Sequence, residues 1–135
     1  MKVFIDADAL IAIMKHDDIN HDKAFKCLEK LVQQEVIFLT SNYVFAEVVT
    51  VLSQRVSQAS AKQFINIMRS TDSPFIVRWV DEIIADEAVT IFEQQTSKNV
   101  SFVDCVNMAL VKIDNIDQIF SFDSVYKKNK FVMVG

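Results

Sequence analysis

Glycine and proline are almost missing from this chain of 135 residues, which contains one of each. A P-loop and a G-x-G-x-x-G turn both need several glycines, so nucleotide sites of those two kinds are excluded. The same scarcity excludes collagen-like and other low-complexity chains.

Cysteine is also scarce, since Cys27 and Cys105 are the only two and they do not form a C-x-x-C pair. No disulfide framework is indicated, which favours a reducing compartment. Long apolar runs are lacking: none approaches the roughly 20 residues of a membrane span, and the first residues do not resemble a signal peptide. We therefore expect a cytoplasmic protein with no membrane partner.

An excess of positive charge is lacking too, because the 14 Lys and Arg residues are outnumbered by 18 Asp and Glu residues, which gives a net charge of -4. This disfavours nucleic-acid binding through bulk charge, although a local basic patch or metal-mediated contact with phosphates stays compatible with it. Hydrophobic residues make up 51% of the chain, enough for one core. The length suits a single domain, residues 1–135.

Short apolar runs alternate with longer stretches of helical periodicity, which is typical of an α/β domain with a mostly parallel sheet. The runs are continuous rather than alternating, as in strands that are covered on both faces. They are residues 3–5, 36–39, 119–122 and 131–134, and residues 75–80 are a less clear candidate. Between them, apolar residues at helical spacing predict five helices.

Four acidic residues stand where a cleft of such a sheet would lie. Asp6 and Asp123 each follow a predicted strand, and parallel strands end at the same edge of the sheet. Glu47 lies on a predicted helix at the margin of its apolar stripe, with no cation three or four residues away. Asp104 follows Ser101 at the spacing of a capping box. Taken alone, each of these residues also has a structural explanation: Asp6 and Asp123 as capping or turn residues, Asp104 as part of the capping box and Glu47 as a solvated side chain.

Together, four such carboxylates would repel one another unless cations neutralise them. Mg²⁺ binds carboxylate oxygens, and two such ions about 3.5–4 Å apart can hold the attacking and leaving oxygens of a phosphodiester. A metal-activated water then serves as the nucleophile, so that no histidine base is needed.

In this order and spacing, Asp6, Glu47, Asp104 and Asp123 resemble the pattern of PIN-domain ribonucleases, in particular the stand-alone VapC-like toxins of type II toxin–antitoxin pairs. The resemblance covers the whole chain. It implies a PIN-like three-layer α/β/α fold with a central, mostly parallel sheet of four to five strands. It also implies an endoribonuclease that uses Mg²⁺ or Mn²⁺, held by the four acids, with Ser101 orienting an acid or a phosphate. RNA is the implied substrate, and a cognate antitoxin and a homodimer are the implied assemblies.

Asp8 departs from that pattern, which more often has a neutral polar residue there. We interpret Asp8 as the N-cap of a helix over residues 9–14, with a supporting role at the metal site as the alternative. Asp6 and Asp8 also resemble the D-x-D motif of haloacid-dehalogenase-like phosphatases, in which the first Asp is the nucleophile. Leu10 stands where that motif has Thr or Val.

Other groups admit further hypotheses. His16 and His21 would suit a metal-independent ribonuclease, but two solvated loop histidines are the simpler interpretation. The basic run Lys127, Lys128 and Lys130 either shields an edge strand or holds RNA phosphates. A non-catalytic interaction module, whose acids cap helices and bind a basic partner, is the remaining alternative.

Overall fold

The computed structural model describes all 135 residues, which form four strands and seven helices. The strands are β1 (Lys2–Ile5), β2 (Ile37–Ser41), β3 (Phe75–Arg78) and β4 (Gln118–Phe120). The helices are α1 (Ala7–Met14), α2 (His21–Gln33), α3 (Asn42–Arg55), α4 (Gln58–Arg69), α5 (Glu82–Glu93), α6 (Phe102–Ile113) and α7 (Val125–Lys128). The five helices predicted from apolar periodicity correspond to α2 through α6.

The four strands form one parallel sheet in the order β3-β2-β1-β4. Strand β1 is therefore central, and its last residue, Ile5, pairs with Phe120 of β4. The residues that follow β1 and β4 leave the sheet at the same edge, which is where open α/β sheets bind ligands. The prediction of a mostly parallel sheet is confirmed.

A further strand expected over residues 131–134 is reduced to a single bridge between Ile119 and Met133. Two backbone hydrogen bonds hold it, one from Ile119 N to Val132 O and one from Val134 N to Ile119 O. Because β4 has only three residues, it offers Ile119 alone for pairing on this side.

The helices form two groups, one on each face of the sheet, which gives the three-layer α/β/α architecture. Helices α1 to α4 pack on one another, and α5 packs on α6. Strand β1 is covered from both sides, so Val3, Phe4 and Ile5 are fully buried. That coverage explains why the strand is apolar at every position. No helix combines the length and hydropathy that crossing a bilayer would require.

Helix α1 begins earlier than the sequence suggested. Its N-cap is Asp6, whose Oδ1 accepts a hydrogen bond of 2.7 Å from Ala7 N. The interpretation of Asp8 as the N-cap is therefore wrong, because Asp8 already lies in the first turn of the helix. Its carboxylate instead reaches the segment that follows β4, which places Asp8 beside Asp6 at the edge of the sheet.

Candidate active site and metal centre

Asp6 lies directly after the central strand and is buried, with 8% of its surface exposed. Four groups donate hydrogen bonds to its two oxygens: Ala7 N and Asn107 Nδ2 to Oδ1, and Tyr126 Oη and Ser121 Oγ to Oδ2. No Lys, Arg or His forms an ion pair with it. Asp6 is thus fixed in position while its charge has no partner in the protein.

Tyr126 connects Asp6 with Asp104. Its hydroxyl donates to Asp6 Oδ2 at 2.6 Å and lies 3.5 Å from Asp104 Oδ1. Asn107 supports the hydroxyl by donating from Nδ2 at 2.9 Å, and both side chains are fully buried. Two carboxylates from distant parts of the chain therefore meet at one phenol.

Neither Asn107 nor the hydrogen-bonding role of Tyr126 was identified from the sequence. Asn107 is a polar residue among seven consecutive buried residues of α6, which is a signal that sequence alone contains. Its partner Tyr126 is 19 residues away on α7, and no periodicity links the two.

Asp104 also begins helix α6, as the Ser101 spacing predicted. Ser101 Oγ accepts from Asp104 N, and Asp104 Oδ2 accepts from Ser101 N, both at 3.0 Å. This is a complete capping box. One oxygen of Asp104 thus holds the helix start, and the other, Oδ1, faces Tyr126.

Asp8 is joined to Asp6 through Ser121, the residue after β4. Ser121 Oγ lies 3.0 Å from both oxygens of Asp8 and 3.3 Å from Asp6 Oδ2. Phe122 N donates to Asp8 Oδ2 at 2.9 Å. Asp8 therefore anchors the segment that follows β4 to the start of α1, which is a supporting position beside Asp6.

Asp123 and Glu47 lie at the periphery. Asp123 is exposed; its Oδ1 accepts from Val125 N, and it forms no ion pair with Lys127. Glu47 is exposed on α3 and makes no side-chain hydrogen bond. The structure thus brings Asp6, Asp8 and Asp104 into one hydrogen-bonded network and leaves Glu47 and Asp123 outside it.

Burial and the proximity of the acids raise the pKa values of three of them, Asp6, Asp8 and Glu47. Burial, followed by the negative charge of Asp8, raises the pKa of Asp6 from 3.8 to about 7. Burial also raises the pKa of Asp8, and the charge of Asp123 adds to it. Desolvation, together with the charges of Asp104 and Asp8, raises the pKa of Glu47. The five carboxylates therefore lie close enough for their charges to act on one another.

The donor set fits a hard divalent cation in its chemistry. Every candidate ligand is a carboxylate oxygen, and Mg²⁺ and Mn²⁺ prefer such oxygens. Asn107 Oδ1 is a buried acceptor beside Asp6 that has no hydrogen-bond partner. However, no three acidic, histidine or cysteine side chains surround one point as ligands in this structure. The acids converge on Tyr126 and Ser121 instead.

Other hypotheses gain little from the geometry. His21 Nδ1 lies 2.7 Å from Ala12 O and holds the segment between α1 and α2. The ring centre of His16 lies 5.2 Å from that of His21, with the two planes tilted by 48°. The phosphatase alternative gains no support either, because Leu10 stands where its motif has Thr or Val and because Ser121 and Phe122 N hold Asp8.

Comparisons with known proteins bear on the fold and the family. VapC20 of Mycobacterium tuberculosis, described as a sarcin-ricin loop cleaving toxin, has a similar structure with a TM-score of 0.83 at 24% identity, over 96% of each chain. VapBC2 of Rickettsia felis, bound to a promoter DNA fragment, gives a TM-score of 0.69 at 14% identity over 98% of this chain and 97% of the other. A toxin–antitoxin complex from Klebsiella pneumoniae gives 0.64 at 13% identity over 91% and 88%.

A search among curated proteins finds no significant match to the sequence. The family model of the PIN domain matches residues 3–132. Because that model spans nearly the whole chain, the protein belongs to the PIN domain family.

Proposed function

We propose that this protein is a divalent-metal-dependent endoribonuclease and the toxin of a toxin–antitoxin pair. The observation that carries the proposal is the buried, unneutralised carboxylate of Asp6, which shares the Tyr126 hydroxyl with Asp104. Membership of the PIN family supports nuclease chemistry, and VapC20, which is similar in fold, is described as a sarcin-ricin loop cleaving toxin.

In this proposal Asp6 and Asp104 are the principal ligands of Mg²⁺ or Mn²⁺, and Glu47 and Asp123 contribute from the rim of the cleft. The bound ion would supply positive charge for the scissile phosphate and Lewis acidity for the attacking water. Tyr126 and Asn107 hold Asp6 in orientation, and Asp8 fixes the segment of Asp123 through Ser121 and Phe122.

The proposal also includes two assemblies. A cognate antitoxin is the expected inhibitor, since a toxin–antitoxin complex is among the proteins of similar fold. A homodimer of this chain is the expected resting form. Co-purification of the chain with the product of a neighbouring gene, and light scattering of the purified chain, test these two parts separately.

The decisive experiment measures cleavage of total cellular RNA, with mapping of the new ends by sequencing. Cuts at discrete sites should require Mg²⁺ or Mn²⁺ and disappear in EDTA. Asp6→Asn and Asp104→Asn should each lower the rate by roughly 100-fold or more, because each removes a metal-binding charge. Asp86→Asn, on the exposed surface of α5, serves as the matched control and should cleave normally.

Cleavage that persists in EDTA, or in either site variant, would overturn the proposed mechanism. A chain that binds a basic partner equally well with Asp6→Asn and never cleaves RNA would instead support the non-catalytic module. Growth arrest on expression of the wild type, absent with Asp6→Asn, tests the toxin role.

A further inference from the structure

A groove of about 830 Å³ runs along helix α2 beside the acidic cluster. Its rim contains Lys23, Lys26 and Lys30 of α2 and Lys127 of α7, and we call it the lysine groove. The α2 lysines stand at positions i, i+3 and i+7, which places them along one face of the helix. Apolar residues, among them Phe120, form much of its floor.

The charge in the lysine groove contrasts with that of the whole protein. Four of the 14 cationic side chains line it, whereas Asp123 is the one acid of 18 that does so. All four lysines are exposed, and none of them forms an ion pair. A chain with a net charge of -4 thus has a concentrated, unneutralised positive surface at this place.

The lysine groove is continuous with the candidate active site. Ser121 and Asp123 line it, and Ser121 Oγ also contacts Asp8 at 3.0 Å and Asp6 at 3.3 Å. Lys23 Nζ lies 5.7 Å from the ring centre of Phe122, whose backbone N donates to Asp8. One end of a ligand that is bound along the groove would therefore lie beside Asp6 and Asp8.

We propose that the lysine groove binds the phosphates of the RNA strand on one side of the cleaved bond. This inference rests on the proposed ribonuclease function. An RNA strand combines a row of negative phosphates with flat apolar bases, which matches cations on the rim and an apolar floor. The lysines also supply the positive charge that a polyanion needs in order to approach an acidic site.

The test measures binding separately from cleavage. In Mg²⁺, protein with Asp6→Asn is titrated with a fluorescent single-stranded RNA at several salt concentrations. Adding Lys26→Gln and Lys30→Gln should weaken binding at least 10-fold at low salt. It should also reduce the slope of log K against log salt by about 0.7 for each lysine that contacts a phosphate. Lys62→Gln with Arg69→Gln on α4 removes the same charge elsewhere and should leave both quantities unchanged.

Unchanged affinity and slope in the Lys26 and Lys30 variant would overturn the inference, and so would an equal loss in the α4 control. Competition by polyglutamate as strong as that by RNA of equal charge would assign the groove to an acidic peptide and overturn it as well. If the wild type still cleaves RNA in these cases, the proposed function stands and only the lysine groove assignment fails. If the wild type cleaves no RNA at all, the proposed function itself fails.

Discussion

The hydroxyl of Tyr126 lies between two carboxylates that are 98 residues apart in sequence: it donates to Asp6 at 2.6 Å and lies 3.5 Å from Asp104. The phenol is fully buried. Burial and the charge of Asp6 raise its pKa, so it remains a neutral donor. A neutral phenol therefore lies between the two acids of the cleft.

Replacing that hydroxyl should weaken metal binding. Tyr126→Phe leaves the ring in place but removes the donor to Asp6 and the acceptor for Asn107. We expect the affinity for Mn²⁺, measured by titration calorimetry, to fall about 10- to 100-fold. The free energy of unfolding in EDTA should fall by about 1–3 kcal/mol, because buried polar groups lose their partners. The control is Tyr43→Phe at the other tyrosine, which is exposed, and it should change neither quantity. An unaltered Mn²⁺ affinity in Tyr126→Phe would contradict the role assigned to the hydroxyl.

The stability of the metal-free protein should depend on pH through Asp6. Its pKa is about 7 in the folded chain and near 3.8 when unfolded, so between these values the folded state keeps a proton that the unfolded state has released. Stability then falls by about 1.4 kcal/mol for each pH unit over this range. The Asp6 effect is absent below pH 4 and complete above pH 7.

Urea unfolding in EDTA from pH 4 to pH 8 measures this effect. Since other carboxylates also titrate, the informative quantity is the difference between the wild type and Asp6→Asn. That difference should grow in favour of the variant as the pH rises. Parallel pH profiles for the two proteins would show that folding does not raise the pKa of Asp6.

Divalent ions should stabilise the fold. An ion that binds only the folded state at 100 times its dissociation constant adds about 2.7 kcal/mol to the free energy of unfolding. We expect this increase with Mn²⁺ at pH 8, and we expect it to vanish when Asp6→Asn and Asp104→Asn are combined. The melting temperature of this double variant should not change when Mn²⁺ is added. Equal stabilisation of both proteins would place the ion elsewhere.

A matched pair of variants can separate the capping role of Ser101 from its orienting role. Ser101→Ala and Ser57→Ala each remove one N-cap hydrogen bond of 3.0 Å, at α6 and α4 respectively. Each should cost about 1 kcal/mol of stability in thermal or urea unfolding. Only Ser101→Ala should also slow RNA cleavage, by roughly 10-fold or less, because its hydroxyl holds the backbone of Asp104. Equal cleavage rates for the two variants would show that Ser101 acts only as an N-cap.

Most of the fold could be predicted from the sequence because its signals are local. The continuous apolar strands and the helical stripes depend on burial within one element, and the Ser101 capping box depends on three-residue spacing. The start of α1 was misplaced because Asp6 and Asp8 are equally good caps by residue type. What distinguishes them is the tertiary contact of Asp8 with Ser121 and Phe122.

The site was predictable as a set of acids but not as an arrangement. Asp6 and Asp123 were expected at the same edge of the sheet because each follows a predicted strand, and the carboxyl ends of parallel strands lie at one edge. Asn107 and the hydrogen-bonding role of Tyr126 were missed because the contact between them depends on how α7 folds back over α6. The lysine face of α2 also becomes meaningful only when Phe122 is placed beside Lys23.

The strand order β3-β2-β1-β4 has a consequence for biosynthesis. The first strand to leave the ribosome carries Asp6, yet its neighbour β4 and the phenol of Tyr126 are encoded more than 110 codons later. A nascent chain therefore has no assembled cleft until β4 and α7 have also been synthesised. Ribosome-bound fragments that stop before α7 should accordingly lack the phenol that holds Asp6.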